Sequence, residues 1–104
     1  MEDHTMNVKI QSIKFDADQK LVDFINNKLG KLEKFYDAII GAEVYLKLEN
    51  TQGVENKIAE VKLLIPGNDL FVQRQAKKFE EGIDECLEVL KRQVKKHKEK
   101  QRGA

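Results

Sequence analysis

Seven cations crowd the last fourteen residues of this chain, "KRQVKKHKEKQRGA" (91–104). They are Lys91, Arg92, Lys95, Lys96, Lys98, Lys100 and Arg102, set against the single acid Glu99. Ammonium and guanidinium groups at this density suit one kind of chemistry, the neutralisation of closely spaced negative charges with release of their counterions. Yet the whole chain carries a formal net charge of only +1. The terminal segment holds +6 and everything before it −5. A chain polarised in this way points to a polyanionic partner for its basic end.

Other chemistries find little support. Cys86 is the only cysteine, which excludes an internal disulfide and fits a reducing compartment. It sits at the edge of an apolar stripe, where a thiol packs rather than reacts. His4 and His97 have no cysteine, aspartate or second histidine at ligand spacing, so no metal site is expected. There is no GxSxG, P-loop or CxxC motif, and the six glycines never cluster into a phosphate cradle. Tyr45 could stack a base, but an ordinary exposed cross-strand role suits it better. The expectation is a binding protein without catalytic residues, cofactor or small-molecule substrate, and nucleic acid is the favoured partner.

The elements that must position these cations can be read from hydrophobic period. "MNVKIQSIKF" (6–15) alternates, then switches phase between Ile10 and Ile13, which predicts a strand bulged near Ser12. Asp16 or Asp18 is the candidate cap of a helix over about 19–36. Its apolar positions are Leu21, Phe24, Ile25, Leu29, Leu32, Phe35 and Tyr36. Two alternating strands follow at 41–50 and 55–65, separated by the turn "NTQG". After "PGND" comes a third at 70–75, then a second helix striped by Phe79, Ile83, Cys86, Leu87, Leu90 and Val94. The fold class is α+β in the order β-α-β-β-β-α, a four-stranded sheet with both helices packed on one face. The first strand joins through a right-handed crossover, parallel to a neighbour. The open face carries Glu43, Tyr45, Lys47, Ile58, Glu60 and Lys62 to water. One hundred and four residues make a single domain, 1–104. Hydrophobic residues make up 40% and charged residues 36%, and no run approaches a membrane span or a signal peptide, so a cytoplasmic protein is expected.

Helical periodicity then sorts the cations. Lys20, Lys31 and Lys34 fall on one flank of the first helix, with Lys28 on the edge of its stripe. Up to Val94 the second helix has an acidic outer side of Glu81, Asp84, Glu85 and Glu88. Beyond Val94 only His97 continues the apolar stripe, so this end should overhang the domain or fray. If the helices lie side by side, the two basic regions merge into one patch. The rival is a solubilising tail, in which the first helix would play no part. Helix-dipole effects of about 0.3–1 kcal/mol account for two or three terminal lysines, not for +6.

Three stretches carry a family resemblance. "KLGKLEKFYDAIIGAEVYLKLE" (28–49), "FEEGIDECLEVLKRQVKKHKEK" (79–100) and "MNVKIQSIKF" resemble parts of the ribosome hibernation-promoting factors, and it is their combination that is specific. These are also called ribosome-associated inhibitors or sigma-54 modulation proteins. The resemblance implies a bacterial, cytoplasmic, non-enzymatic translation inhibitor of the stress response. It would occupy the messenger and transfer RNA channel of the small ribosomal subunit, its helices touching ribosomal RNA, and be monomeric when free. By position, Lys28, Lys31 and Lys34 match the family's basic sites on the first helix. Arg92, Lys96, Lys98 and Lys100 match those on the second, and Lys91 and Lys95 are additional. The chain departs at Lys77-Lys78-Phe79, where the family often has Asp-Met-Tyr, and at Gly82, where alanine is usual. Short and long forms exist, and this chain resembles a short form or the first part of a long one. The alternatives are a generic double-stranded RNA binder and a protein–protein modulator of a sigma factor.

Overall fold

A computed structural model describes residues 6–49 and 56–103 of the chain, with side chains described through residue 100. The turn "NTQG", His4 and the side chain of Arg102 lie outside these. Asp18 starts the first helix: its extended backbone and its Oδ1, which accepts from the Leu21 amide at 2.9 Å, satisfy one of the first turn's orphan donors. The helix, α1, spans Gln19–Phe35. It follows β1 (Asn7–Ile13) and precedes β2 (Gly41–Leu48), β3 (Lys57–Ile65), β4 (Asn68–Ala76) and a long α2 (Phe79–Gly103).

The sheet runs β1-β2-β3-β4. β1 pairs parallel to β2 from Asn7↔Gly41 to Ile13↔Lys47, and the other two pairings are antiparallel. This is the expected crossover followed by a meander. The β3–β4 hairpin turns on Pro66 and Gly67, with Gly67 at φ +79, the conformation that position i+2 of a type II turn demands.

The predicted bulge near Ser12 is absent, because the β1–β2 register is unbroken through Ile13. Ile13 keeps the register opposite Lys47, on the open face, and only Phe15 changes side. Lys14 adopts φ +71, a left-handed conformation that costs a non-glycine residue about 1–2 kcal/mol. The chain turns there, and the Phe15 ring comes to stack on Phe79, centroids 4.8 Å apart and planes 6° apart. That contact fastens the exit of β1 to the start of α2.

Leu21, Ile25, Leu29 and Leu32 of α1 and Ile83, Cys86, Leu90 and Val94 of α2 share one core with Val44, Leu46, Ala59, Val61, Leu63 and Val72 of the sheet. Both helices therefore cover the same face, each by its apolar stripe. Gly82 lets α2 come close: a Cβ there would stand 3.2 Å from that of Ala59. The opposite face is open, with one correction. Ile58, expected to meet water, is buried. Its ladder neighbours are Lys47 and Gln75, whose long side chains can screen it.

Candidate nucleic-acid interface

The two helices lie against each other along a groove of about 390 Å³. Its apolar floor comes from Leu32, Phe35 and Leu87. Its cations are Lys28 and Lys31 from α1 and Lys91 from α2. Periodicity explains the convergence. Lys28 and Lys31 stand on the flank of α1 beside its buried stripe, and Lys91 directly follows the fully buried Leu90. Packing the stripes together brings their flanks together.

A second depression continues from the first past Phe35 and is lined by Lys91, Arg92 and Lys95. The two depressions share Phe35, Glu88 and Lys91. Lys34 is exposed in the last turn of α1. Lys96 and Lys100 are exposed too. At 100° per residue they turn progressively away from Lys91, toward the far side of α2.

Phe35 is a site residue that the sequence pattern hid. It reads as part of the core stripe, but two adjacent aromatics at a helix end cannot both point inward. Tyr36 takes the buried place, and Phe35 is half-buried at the groove. The ammonium of Lys91 lies 5.3 Å from its ring centroid and that of Lys98 lies 4.7 Å away. Such contacts stabilise by about 0.5–1 kcal/mol at exposed sites. The adjacency of Phe35 and Tyr36 was the available signal.

The end of α2 does not stand clear of the domain, as the loss of its apolar stripe suggested. Lys98 Nζ donates to the Phe35 carbonyl oxygen at 3.1 Å. His97 meets Tyr36 edge to face, with centroids 5.9 Å apart. The aromatic pair ending α1 supplies the docking surface that the α2 stripe lacks.

The acids also need correcting. Asp84 and Glu88, read as an outer side, both line the groove. Asp84 Oδ1 lies 3.3 Å from Lys28 Nζ, while the Lys28 ammonium also sits 5.4 Å from the Phe24 ring centroid. Glu85 reaches the other way, 4.0 Å from Arg74 Nε. Glu88 makes no ion pair among the described residues and stands beside both depressions. The groove is therefore cationic but not uniformly so.

Elsewhere the chemistry is quiet. Tyr45 donates its hydroxyl to Glu43 Oε1 at 3.2 Å, and the Glu43 charge raises the phenol above its ordinary range. Cys86 donates to the carbonyls of Ala59 and Val72 at 3.5 and 3.7 Å, and burial pushes its thiol up to about 11. A neutral, enclosed thiol of this kind is neither a nucleophile nor a metal ligand. Among the described residues no three His, Cys, Asp or Glu side chains gather to hold a metal ion, and no helix is long and apolar enough to cross a membrane.

Comparison with known proteins places this architecture. A ribosome hibernation promoting factor of Pseudomonas putida is 33% identical over 98 residues, covering 94% of this chain and 92% of its own. The ribosome hibernation promotion factor of Bacillus subtilis is 31% identical over 97 residues, which span 91% of this chain but only 50% of that longer protein. The crystal structure of the Thermus thermophilus Protein Y N-terminal domain superposes with a TM-score of 0.76 at 25% identity, covering 88% of this chain and 99% of that one. The profile of one family, Sigma 54 modulation protein / S30EA ribosomal protein, matches residues 8–102, nearly the whole described fold, and the chain belongs to that family.

Proposed function

We propose that this protein is a ribosome hibernation factor, a single ribosome-binding domain over residues 1–104 that binds the small ribosomal subunit through ribosomal RNA and stops translation. The observation that carries the reading is the convergence of Lys28 and Lys31 from one helix with Lys91 from the other on a single groove. Two segments distant in sequence supply one cationic surface, and relatives that share the fold are named for ribosome hibernation. Ribosomal RNA is the polyanion that fits both facts. Occupancy of the messenger and transfer RNA channel belongs to the same proposal, as do a cytoplasmic location and the absence of catalysis.

Roles divide by geometry. Lys31, Lys34, Lys91, Arg92, Lys95, Lys96 and Lys100 are the phosphate contacts, since their ammonium or guanidinium groups form no hydrogen bond or ion pair among the described residues. Lys28 and Lys98 add field to the patch while held by Asp84 and Phe35. Phosphate contacts give affinity and steering; the shape of the two-helix surface selects the RNA cavity.

Co-sedimentation with ribosomes on a sucrose gradient, with and without nuclease treatment, tests the proposal. Migration with the small subunit, and inhibition of translation in vitro, are expected. Capture of a protein partner that survives nuclease would favour a modulator of another protein instead. Displacement from ribosomes by plain duplex RNA would favour a generic double-stranded RNA binder.

A further inference from the structure

Glu88 is out of place on a surface that meets only phosphates. It is exposed, it makes no ion pair among the described residues, and it stands between the groove cations and Arg92. A carboxylate held against a phosphate chain repels it. The same carboxylate beside an apolar floor is an acceptor for the amino group of a nucleobase, the pairing that acidic side chains make with the cytosine amino group.

The groove supplies the rest of such a site. The half-buried Leu87, over the buried Leu32, gives an apolar surface for a base face, and Lys31 and Lys91 line the same groove. Its volume of about 390 Å³ lies in the range of small-ligand sites, about 300–1,000 Å³. Single-stranded RNA is recognised by splaying bases out of the stack and bonding their edges.

We propose that the groove between α1 and α2 takes one splayed nucleotide of a single-stranded RNA segment, with Glu88 accepting from an exocyclic amino group of the base. This rests on the reading of the protein as an RNA binder and adds base selectivity to it. Cytosine, which presents an amino donor at C4, is accepted. Uracil, which presents an oxygen at that position, is rejected because two acceptors would face each other.

The test uses ten-nucleotide oligocytidylate and oligouridylate, titrated into the full chain at one fixed salt concentration. The wild type should bind oligocytidylate about five- to tenfold more tightly. Glu88→Ala should erase that preference by weakening oligocytidylate binding, with Glu88→Gln in between. Equal affinity for the two oligonucleotides overturns the proposal. So does a Glu88→Ala protein that binds both more tightly, the result expected if the carboxylate only repels phosphate. Glu88 is exposed on α2, and circular dichroism checks that both variants fold. Ribosome co-sedimentation of the wild type separates the two levels. Co-sedimentation without base preference sinks the groove proposal alone. Absence of co-sedimentation sinks the proposed function, and the oligonucleotide preference still decides the groove.

Discussion

Lys98 Nζ lies 3.1 Å from the carbonyl oxygen of Phe35, a residue 63 positions earlier in the chain. That oxygen is among the last four carbonyls of α1, which have no helical partner of their own. The end of α2 therefore caps the end of α1 with a cation, where the helix dipole favours positive charge. Lys98→Ala should lower stability by about 1 kcal/mol, the sum of a charged hydrogen bond and a cation–π contact discounted for partial exposure. Lys98→Arg should recover part of the loss. Thermal unfolding followed by circular dichroism measures both. Identical midpoints for all three proteins would show that the contact is incidental.

Ribosome binding should depend steeply on salt. Seven cations are assigned to phosphates, and five to seven contacts correspond to a slope of log K against log salt of about −4 to −6. Affinity measured at several potassium concentrations gives the slope. A response near zero is incompatible with a surface that works through phosphates.

Charge reversal should separate the groove from the rest of α2. Lys31→Glu with Lys91→Glu reverses one cation on each helix where they share a groove. Lys96→Glu with Lys100→Glu reverses two that point progressively away from it. All four cations are assigned to phosphates, so each pair should lose about 2–4 kcal/mol of ribosome affinity. All four side chains are exposed, so helix content should not change. A loss from the second pair alone would mean that the groove plays no part and that the end of α2 is an undirected basic tail.

The Cys86 thiol, pushed up to about 11 by burial, fixes the sign of a pH effect. An ordinary thiol titrates near 9. Between the two values the unfolded chain has lost its proton and the folded one has kept it. Stability from this group is fully present below about pH 9 and falls as pH rises toward 11, by at most about 1.4 kcal/mol per unit. Unfolding of the wild type and of Cys86→Ala at pH 8 and pH 10 isolates the term. The wild type should lose more over that interval than the variant, which is the less stable of the two at pH 8. In the folded protein the thiol should resist alkylation at pH 8, and rapid labelling without unfolding would contradict its enclosure.

What the sequence determined on its own was everything set by local period and local chemistry. The alternation of Val44, Leu46 and Leu48 and the three-and-four spacing from Leu21 to Leu32 define strand and helix wherever they fold. Asp18 announces its helix, and the order of elements leaves few topologies once chirality is imposed. The clustering of cations after Leu90 is likewise written in the chain, as is the flank bearing Lys31 and Lys34. The tertiary structure decided what depends on partners distant in sequence. Only the packing of α1 on α2 sends Phe35 out to the groove and Tyr36 in, turns Asp84 and Glu88 from an outer side into groove walls, and ties Lys98 to a carbonyl on another helix. Only the β1–β2 register shows that Ile13 stays on the open face and that the left-handed Lys14, not a bulge at Ser12, redirects Phe15. A residue's period fixes the direction in which it leaves its own element. Whether that direction meets solvent, a ring or an opposite charge is fixed by a second element, and no local pattern encodes that distance.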